Sequence, residues 1–208
     1  SNPAFAEDIF ASLKYLGLTV DEGPFYQSQR LPLYKAHLQR LLDQGKAVHK
    51  EGAVVFPVPP ATVTFHDLVH GDITVDTSLF ESLVLLKSDG MPTYNFACVV
   101  DDADMRISHV IRGDDHIANT PKQVVLHQAL GFPLPQFAHI PLIVGADRAR
   151  LSKRAGATAV SDYRTVGYLP DGFVNYLALL GWSPGGNREV MTIPELVEAF
   201  DITRIRKT

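Results

Sequence analysis

With 208 residues, 46% of them apolar, the chain has enough material for one sizeable core and a small appended unit. Its single cysteine excludes an internal disulfide. No apolar run approaches the roughly 18 residues of a membrane span, and no secretory signal pattern is visible, so a cytoplasmic protein without membrane contact is expected. The formal charge of -4 does not suit a nucleic-acid binder taken whole, so any contact with a phosphate backbone must come from local basic patches.

Residues 5–16 and 31–44 place apolar side chains at helical spacing, joined by the turn-rich DEGPFYQSQR. From Ala53 to Leu86 the pattern changes to short β-rich runs, AVVFPV, ATVTF, ITV and ESLVLLK, broken by Pro and Gly. The stretch VVDDADMRISHVIRGDDHIANTPKQ reads as a strand, a turn, a second strand over 109–111 and a helix opening. Asn119 or Thr120 would cap that helix, Pro121 fits its first turn, and Val124, Val125 and Ala129 supply its apolar face. Strand and helix alternation over 93–145 implies a parallel sheet with right-handed crossovers. Beyond Thr158 the chain turns helical. Residues 171–180 carry Phe173, Val174, Leu177 and Leu180 on one side, Gly181 can end the helix, and 193–200 forms another. Phe173, Tyr176 and Trp182 are expected in the core rather than stacked on bases. Arg204, Arg206 and Lys207 read as a solvated tail.

Two segments carry the chemistry. Arg112 falls at the carboxyl end of a strand, where open α/β sheets build ligand crevices, with Asp114, Asp115 and His116 in the same short connection. A guanidinium there can grip a carboxylate by two parallel hydrogen bonds, and an adjacent acid can hold a ribose hydroxyl or an ammonium group. An Arg/Asp salt-bridge cluster that merely stabilises a loop fits the same residues. The second segment is PLIVGADRARLSKRAGAT, residues 141–158. A small-residue loop of this kind can carry Lys153 over a bound nucleotide to offset charge on transferring phosphoryl oxygens, with Ser152 adding a hydroxyl donor. A solvated basic turn is the alternative. With one cysteine there is no cysteine-based metal site, and His49, His66 and His70 read as surface histidines, so no zinc is expected.

Taken together, SDGMPTYNFACVVDDADMRISHVIRGDDHIANTPKQVVLHQALGFPLPQFAHIPLIVG, the RLSKRAGAT stretch and the N-terminal DEGPFYQSQR resemble the glutamyl-tRNA synthetases of the bacterial and organellar type. The resemblance implies an α/β, Rossmann-like class I synthetase sheet. It also implies an activity: glutamate is activated by ATP to glutamyl adenylate and the acyl group passes to the 3′ end of tRNA(Glu). By the same resemblance Lys153, with Leu151 and Ser152, matches a mobile signature loop that binds ATP, and Arg150 stands where that signature has an earlier lysine. Arg112 matches the arginine that binds the substrate's side-chain carboxylate, and Tyr94 a tyrosine of the amino-acid pocket; a core tyrosine at a strand end is the alternative for Tyr94. Asp115 and His116 match positions beside ATP and the amino-acid ammonium. Asp101 and Asp102 match an acidic pair near the tRNA 3′ end, and fit turn acids equally well. Magnesium is implied through ATP. A monomer is expected.

The resemblance also frames the domain organisation. Residues 1–50 and 88–160 correspond to the catalytic domain, 51–87 to a shortened acceptor-binding insertion, and 161–208 to the start of a helical stem-contact domain. Where family members carry several tens of further residues, often with zinc ligands, residues 49–52 bridge directly. None of the eight histidines sits in an HxGH-type signature. The alternative expectation is therefore a noncatalytic fragment that binds only ATP or the acceptor stem, with little activity in this segment alone.

Overall fold

The computed structural model describes residues 3–80, 82–143 and 159–207. It comprises two compact units, Phe25–His139 and the pair of segments Ser1–Pro24 with Ile140–Thr208.

In the first unit the helix α2 (Leu31–Asp43) buries Tyr34, Leu38 and Leu41, one stripe at i, i+4 and i+7. Two sheets follow. The strands β1 (Val48–Lys50), β2 (Ala53–Pro57) and β5 (Ser82–Leu86) form an antiparallel sheet in the order β1-β2-β5. β1 and β2 are joined by a two-residue turn in which Glu51 and Gly52 both have positive φ, 50° and 79°. That is the geometry whose twist matches a tight hairpin, so residues 49–52 close without strand splaying. The second sheet has the order β4-β3-β7-β6, from β3 (Thr62–Asp67), β4 (Gly71–Asp76), β6 (His109–Gly113) and β7 (Gln136–Ile140). β3 alternates exposed and buried residues along its length and pairs antiparallel with β4 but parallel with β7, Asp67 facing Phe137. The helices α3 (Tyr94–Asp104) and α4 (Thr120–Leu130) complete the unit. One core gathers Tyr34, Leu85, Phe96, Val100, Leu126 and Phe137 from both sheets and all three helices. The β-rich 51–87 segment contributes to that core through Val54, Phe65 and Leu85, so within this unit it shares the packing of the helices.

The α/β fold with a parallel pairing agrees with the expectation, but one element does not. VVDD is helix, the middle of α3, where a strand was expected. Phe96, Val99 and Val100 recur at helical spacing and are at most 1% exposed, and packing of that face overrides the β preference of the valine pair. Neither candidate cap works as one. Asn119 stands at the N-cap of α4 without a side-chain cap bond, because its amide and the Thr120 hydroxyl are engaged elsewhere, as described below.

The second unit contains α1 (Pro3–Tyr15), α5 (Val160–Val166), α6 (Pro170–Leu179) and α7 (Ile193–Ala199). Trp182, Met191 and Leu196 form its buried cluster. Phe173 is buried as expected, but Tyr176 is 58% exposed, on the outward side of α6. The basic side chains of the terminus, Arg204, Arg206 and Lys207, are exposed as expected, but its backbone is docked. Trp182 Nε1 donates to the Asp201 carbonyl at 3.0 Å, Arg206 N–H donates to the Gly181 carbonyl at 2.8 Å, Arg204 reaches the Pro184 carbonyl, and Ile205 packs on the Trp182 cluster. No helix among the described residues is long and apolar enough to cross a membrane.

Candidate active site

The mixed sheet brings three strand ends together, and each carries a polar residue at its last or next-to-last position. Asp67 closes β3, Arg112 lies at the end of β6, and His139 at the end of β7. Asp67 and His139 are wholly buried. The Asp67 carboxylate accepts the backbone N–H groups of Val69 and His70 at 2.9 Å each and of His139 at 3.1 Å, and lies 2.6 Å from His139 Nδ1. Burial by itself would disfavour the charged carboxylate, but these donors outweigh it and hold Asp67 below the usual carboxylate range.

The hydrogen-bond pattern assigns the His139 tautomer. With Asp67 accepting at Nδ1–H, Nε2 is an acceptor, and Arg112 Nε donates to it at 3.1 Å. Burial, seconded by the Arg112 charge, lowers the His139 pKa against the pull of Asp67, so the ring is neutral. Arg112 Nη2 donates to Thr120 Oγ1 and to Gln123 Oε1, both at 2.8 Å. Its direct partners are thus an imidazole, a hydroxyl and an amide, none of them an acid. The Tyr94 hydroxyl also interacts with the guanidinium. Asp114, one of the acids that adjoin Arg112 in sequence, pairs with His70 Nε2 at 2.8 Å. His70 is accordingly no surface histidine, with a side chain only 23% exposed.

The network continues outward. Gln123 Nε2 donates to Asn95 Oδ1 at 3.1 Å, and the Asn95 amide approaches Asn119 Oδ1 at 3.5 Å. The Asn119 amide and the Tyr94 hydroxyl each lie 3.3 Å from His116 Nδ1. Tyr94 is the first residue of α3 and 49% exposed, so it is neither at a strand end nor in the core. Burial of its hydroxyl end, with Cys98 beside it, raises its pKa although Arg112 works the other way. The phenol therefore stays protonated beside the guanidinium, as a hydrogen-bond donor for an anionic ligand. Cys98 is pushed up to about 11, by burial first and by Asp102 next.

Of the residues expected from sequence, Arg112, Tyr94 and His116 meet here, and Asp115 lies in the same 3-10 turn, Asp114–Asn119. Leu151, Ser152, Lys153 and Arg150 lie outside the described residues. Asp101 and Asp102 are in the second half of α3, not in a turn. Asp101 is 7% exposed, and its carboxylate accepts from Gln27 Nε2 at 2.9 Å, Arg30 Nε at 2.8 Å and the Tyr34 hydroxyl at 2.8 Å. It fastens the YQSQR stretch to α3. Burial raises the pKa of Asp102 against the opposing charge of Arg112. Asp67, His139, Thr120 and Gln123 were missed as site residues. For Asp67 and His139 the available signal was a polar residue at the last or next-to-last position of an apolar strand run, TVTFHD and QFAHI.

Comparisons with known proteins bear on the fold and the family. The catalytic-domain profile of the class I tRNA synthetases (E and Q) matches residues 1–53 and 50–208, the two stretches meeting at the Glu51–Gly52 turn. A glutamate–tRNA ligase of Pelobacter propionicus is 44% identical over 239 aligned positions, covering 96% of this chain and 51% of the relative. One from Nitrosospira multiformis is 45% identical with the same coverage. These alignments are longer than the 208 residues here, so the relatives carry residues with no counterpart. The chain spans about half the length of the curated relatives it matches. Among solved structures, a glutamate tRNA ligase from Elizabethkingia meningosepticum in complex with its amino acid superposes with a TM-score of 0.85 at 27% identity, covering 99% of this chain and 56% of that one. The sheet with Arg112 at its carboxyl edge is therefore that of a class I synthetase, and the chain belongs to the catalytic-domain family of the class I tRNA synthetases for E and Q.

Proposed function

We propose that the protein carrying this chain is a glutamate–tRNA ligase. ATP and glutamate form glutamyl adenylate as a glutamate carboxylate oxygen attacks the α-phosphorus and pyrophosphate leaves; the acyl group then passes to the 3′ end of tRNA(Glu). The observation that carries the reading is Arg112. A guanidinium at the strand ends, held by an imidazole, a hydroxyl and an amide that leave its charge uncompensated, suits an anionic side chain. The protonated Tyr94 hydroxyl adds a donor beside it. The three relatives described above are named glutamate–tRNA ligases, which supports glutamate as that anion.

In this reading His116 and Asp115 hold ATP and the amino-acid ammonium. Lys153, with Ser152, Leu151 and Arg150, meets the phosphates, and magnesium arrives with ATP. Residues 1–50 and 88–160 form the catalytic part, 51–87 the acceptor-end element and 161–208 the start of the stem-contact helices. Asp101 and Asp102 lie towards the tRNA 3′ end, with Asp102 the freer of the two. The protein acts in the cytoplasm as a monomer.

The test is glutamate-dependent pyrophosphate exchange by the full-length protein with single substitutions. Arg112→Ala should chiefly raise KM for glutamate, and Lys153→Ala should chiefly lower kcat, because phosphate charge is greatest in the transition state. Normal glutamate recognition by Arg112→Ala would overturn the reading of the pocket.

A further inference from the structure

We propose that Asp67 and His139 are positioning residues that aim Arg112 at the substrate's carboxylate, and that their neutral contact keeps its charge available to discriminate glutamate from glutamine. This rests on the reading of Arg112 as the side-chain binder.

An arginine side chain has several rotatable bonds, and an exposed one loses much of its binding energy in being ordered. Here that ordering is done in advance. The Nε–H is tied to His139 and Nη2 to Thr120 and Gln123, so two sides of the planar fork are fixed. The His139 ring is itself fixed from behind. The Asp67 carboxylate accepts a hydrogen bond from Nδ1–H at 2.6 Å, and three backbone N–H groups hold Asp67. The order is therefore carboxylate, imidazole, guanidinium, all from one sheet.

The interposed ring has an electrostatic consequence. Were Asp67 to contact Arg112 directly, the pair would neutralise itself, and an incoming amide would be met nearly as well as a carboxylate. With a neutral imidazole between them, the acid sets the tautomer while the cation's direct contacts stay uncharged. Glutamate then gains a charge-assisted pair that glutamine cannot.

The two faces of His139 can be separated by substitution. His139→Gln can present an amide oxygen where Nε2 accepts from Arg112, while His139→Asn can retain a donor near Nδ1 for Asp67 but has nothing reaching Arg112. In the full-length protein, His139→Asn should raise KM for glutamate about 10- to 100-fold, the value of one charge-assisted hydrogen bond. KM for ATP should be unchanged, and the kcat/KM preference for glutamate over glutamine should fall with the loss. His139→Gln should restore most of both. Equal losses in Asn and Gln variants that retain the parental circular dichroism would overturn the proposal, as would unchanged glutamate KM in both. Arg112→Ala run alongside separates the failures, since normal glutamate KM there would remove the pocket reading itself. The unsubstituted protein provides a check that needs no variant to fold. Imidazole 15N spectra at neutral pH should show His139 protonated at Nδ1 and bare at Nε2, and the opposite tautomer or an imidazolium would refute the arrangement.

Discussion

Removing the Asp101 carboxylate should destabilise the Phe25–His139 unit strongly, because three side chains converge on it. Tyr34 is 1% exposed and donates its hydroxyl to both carboxylate oxygens, at 2.9 and 2.8 Å. Arg30 donates Nε at 2.8 Å and also reaches Asp104 at 2.6 Å, and Gln27 adds a bond at 2.9 Å. Burial first, then the bond to Asp101, raises the Tyr34 pKa, so its hydroxyl keeps its proton. Asp101→Ala leaves that hydroxyl without its acceptor and leaves the partly buried Arg30 without one of its two carboxylates, at a cost of about 3–5 kcal/mol by analogy with broken buried pairs. For a chain of this length that is a fall in Tm of about 6–20 °C. Tyr34→Phe should cost about 1–3 kcal/mol. The double variant should fall short of the sum, because the second change removes a group already stranded. Thermal melts of the 208-residue chain followed by circular dichroism give all four corners of the cycle. A melt of Asp101→Ala that coincides with the parent would refute the reasoning and return Asp101 to the role of a surface acid.

Stability should also decline as pH falls below neutrality. Burial lowers the pKa values of His37, His127 and His139, so below about 6.5 the unfolded chain binds more protons than the folded one. The stability contributed by the neutral rings is complete above that pH and is lost as pH drops through the depressed folded values. Asp67, also depressed, adds a further loss at more acidic pH, while Asp102, raised by burial, works in the opposite direction. Tm recorded from pH 7.5 to 5 should fall, and His127→Phe should flatten the profile; a Tm independent of pH would contradict the buried neutral rings. Cys98 should resist alkylation. With its thiol pushed up to about 11, the thiolate fraction at pH 8 is on the order of one in a thousand, against roughly a quarter for an unperturbed cysteine. Iodoacetamide labelling in the native state should be hundreds-fold slower than after unfolding, and equal rates would refute the burial argument.

Much of this molecule is written in local pattern. The spacing over 5–16 and 31–44 determines α1 and α2, the alternating run ATVTFHD determines β3, and the strand-end position of Arg112 marks the crevice, because each signal is complete within one turn or one pleat of chain. The LSKR stretch and its neighbours likewise identify the family through contiguous residues. What depends on distant partners was decided only by packing. VVDD reads as strand until α3 is seen burying Phe96, Val99 and Val100 in a shared core. Asp101 reads as a turn acid until Arg30 and Tyr34, some seventy positions earlier, are brought onto it. Tyr176 and Trp182 are equally apolar in sequence, yet only the second faces the cluster with Met191 and Leu196. Asp67 and His139 stand 72 positions apart, and although the Val69 and His70 amides are local to Asp67, nothing nearby in the chain announces the imidazole as its partner. A hydrogen bond between side chains depends on angstrom-scale placement, which parallel pairing of β3 with β7 supplies and which no period in the sequence encodes.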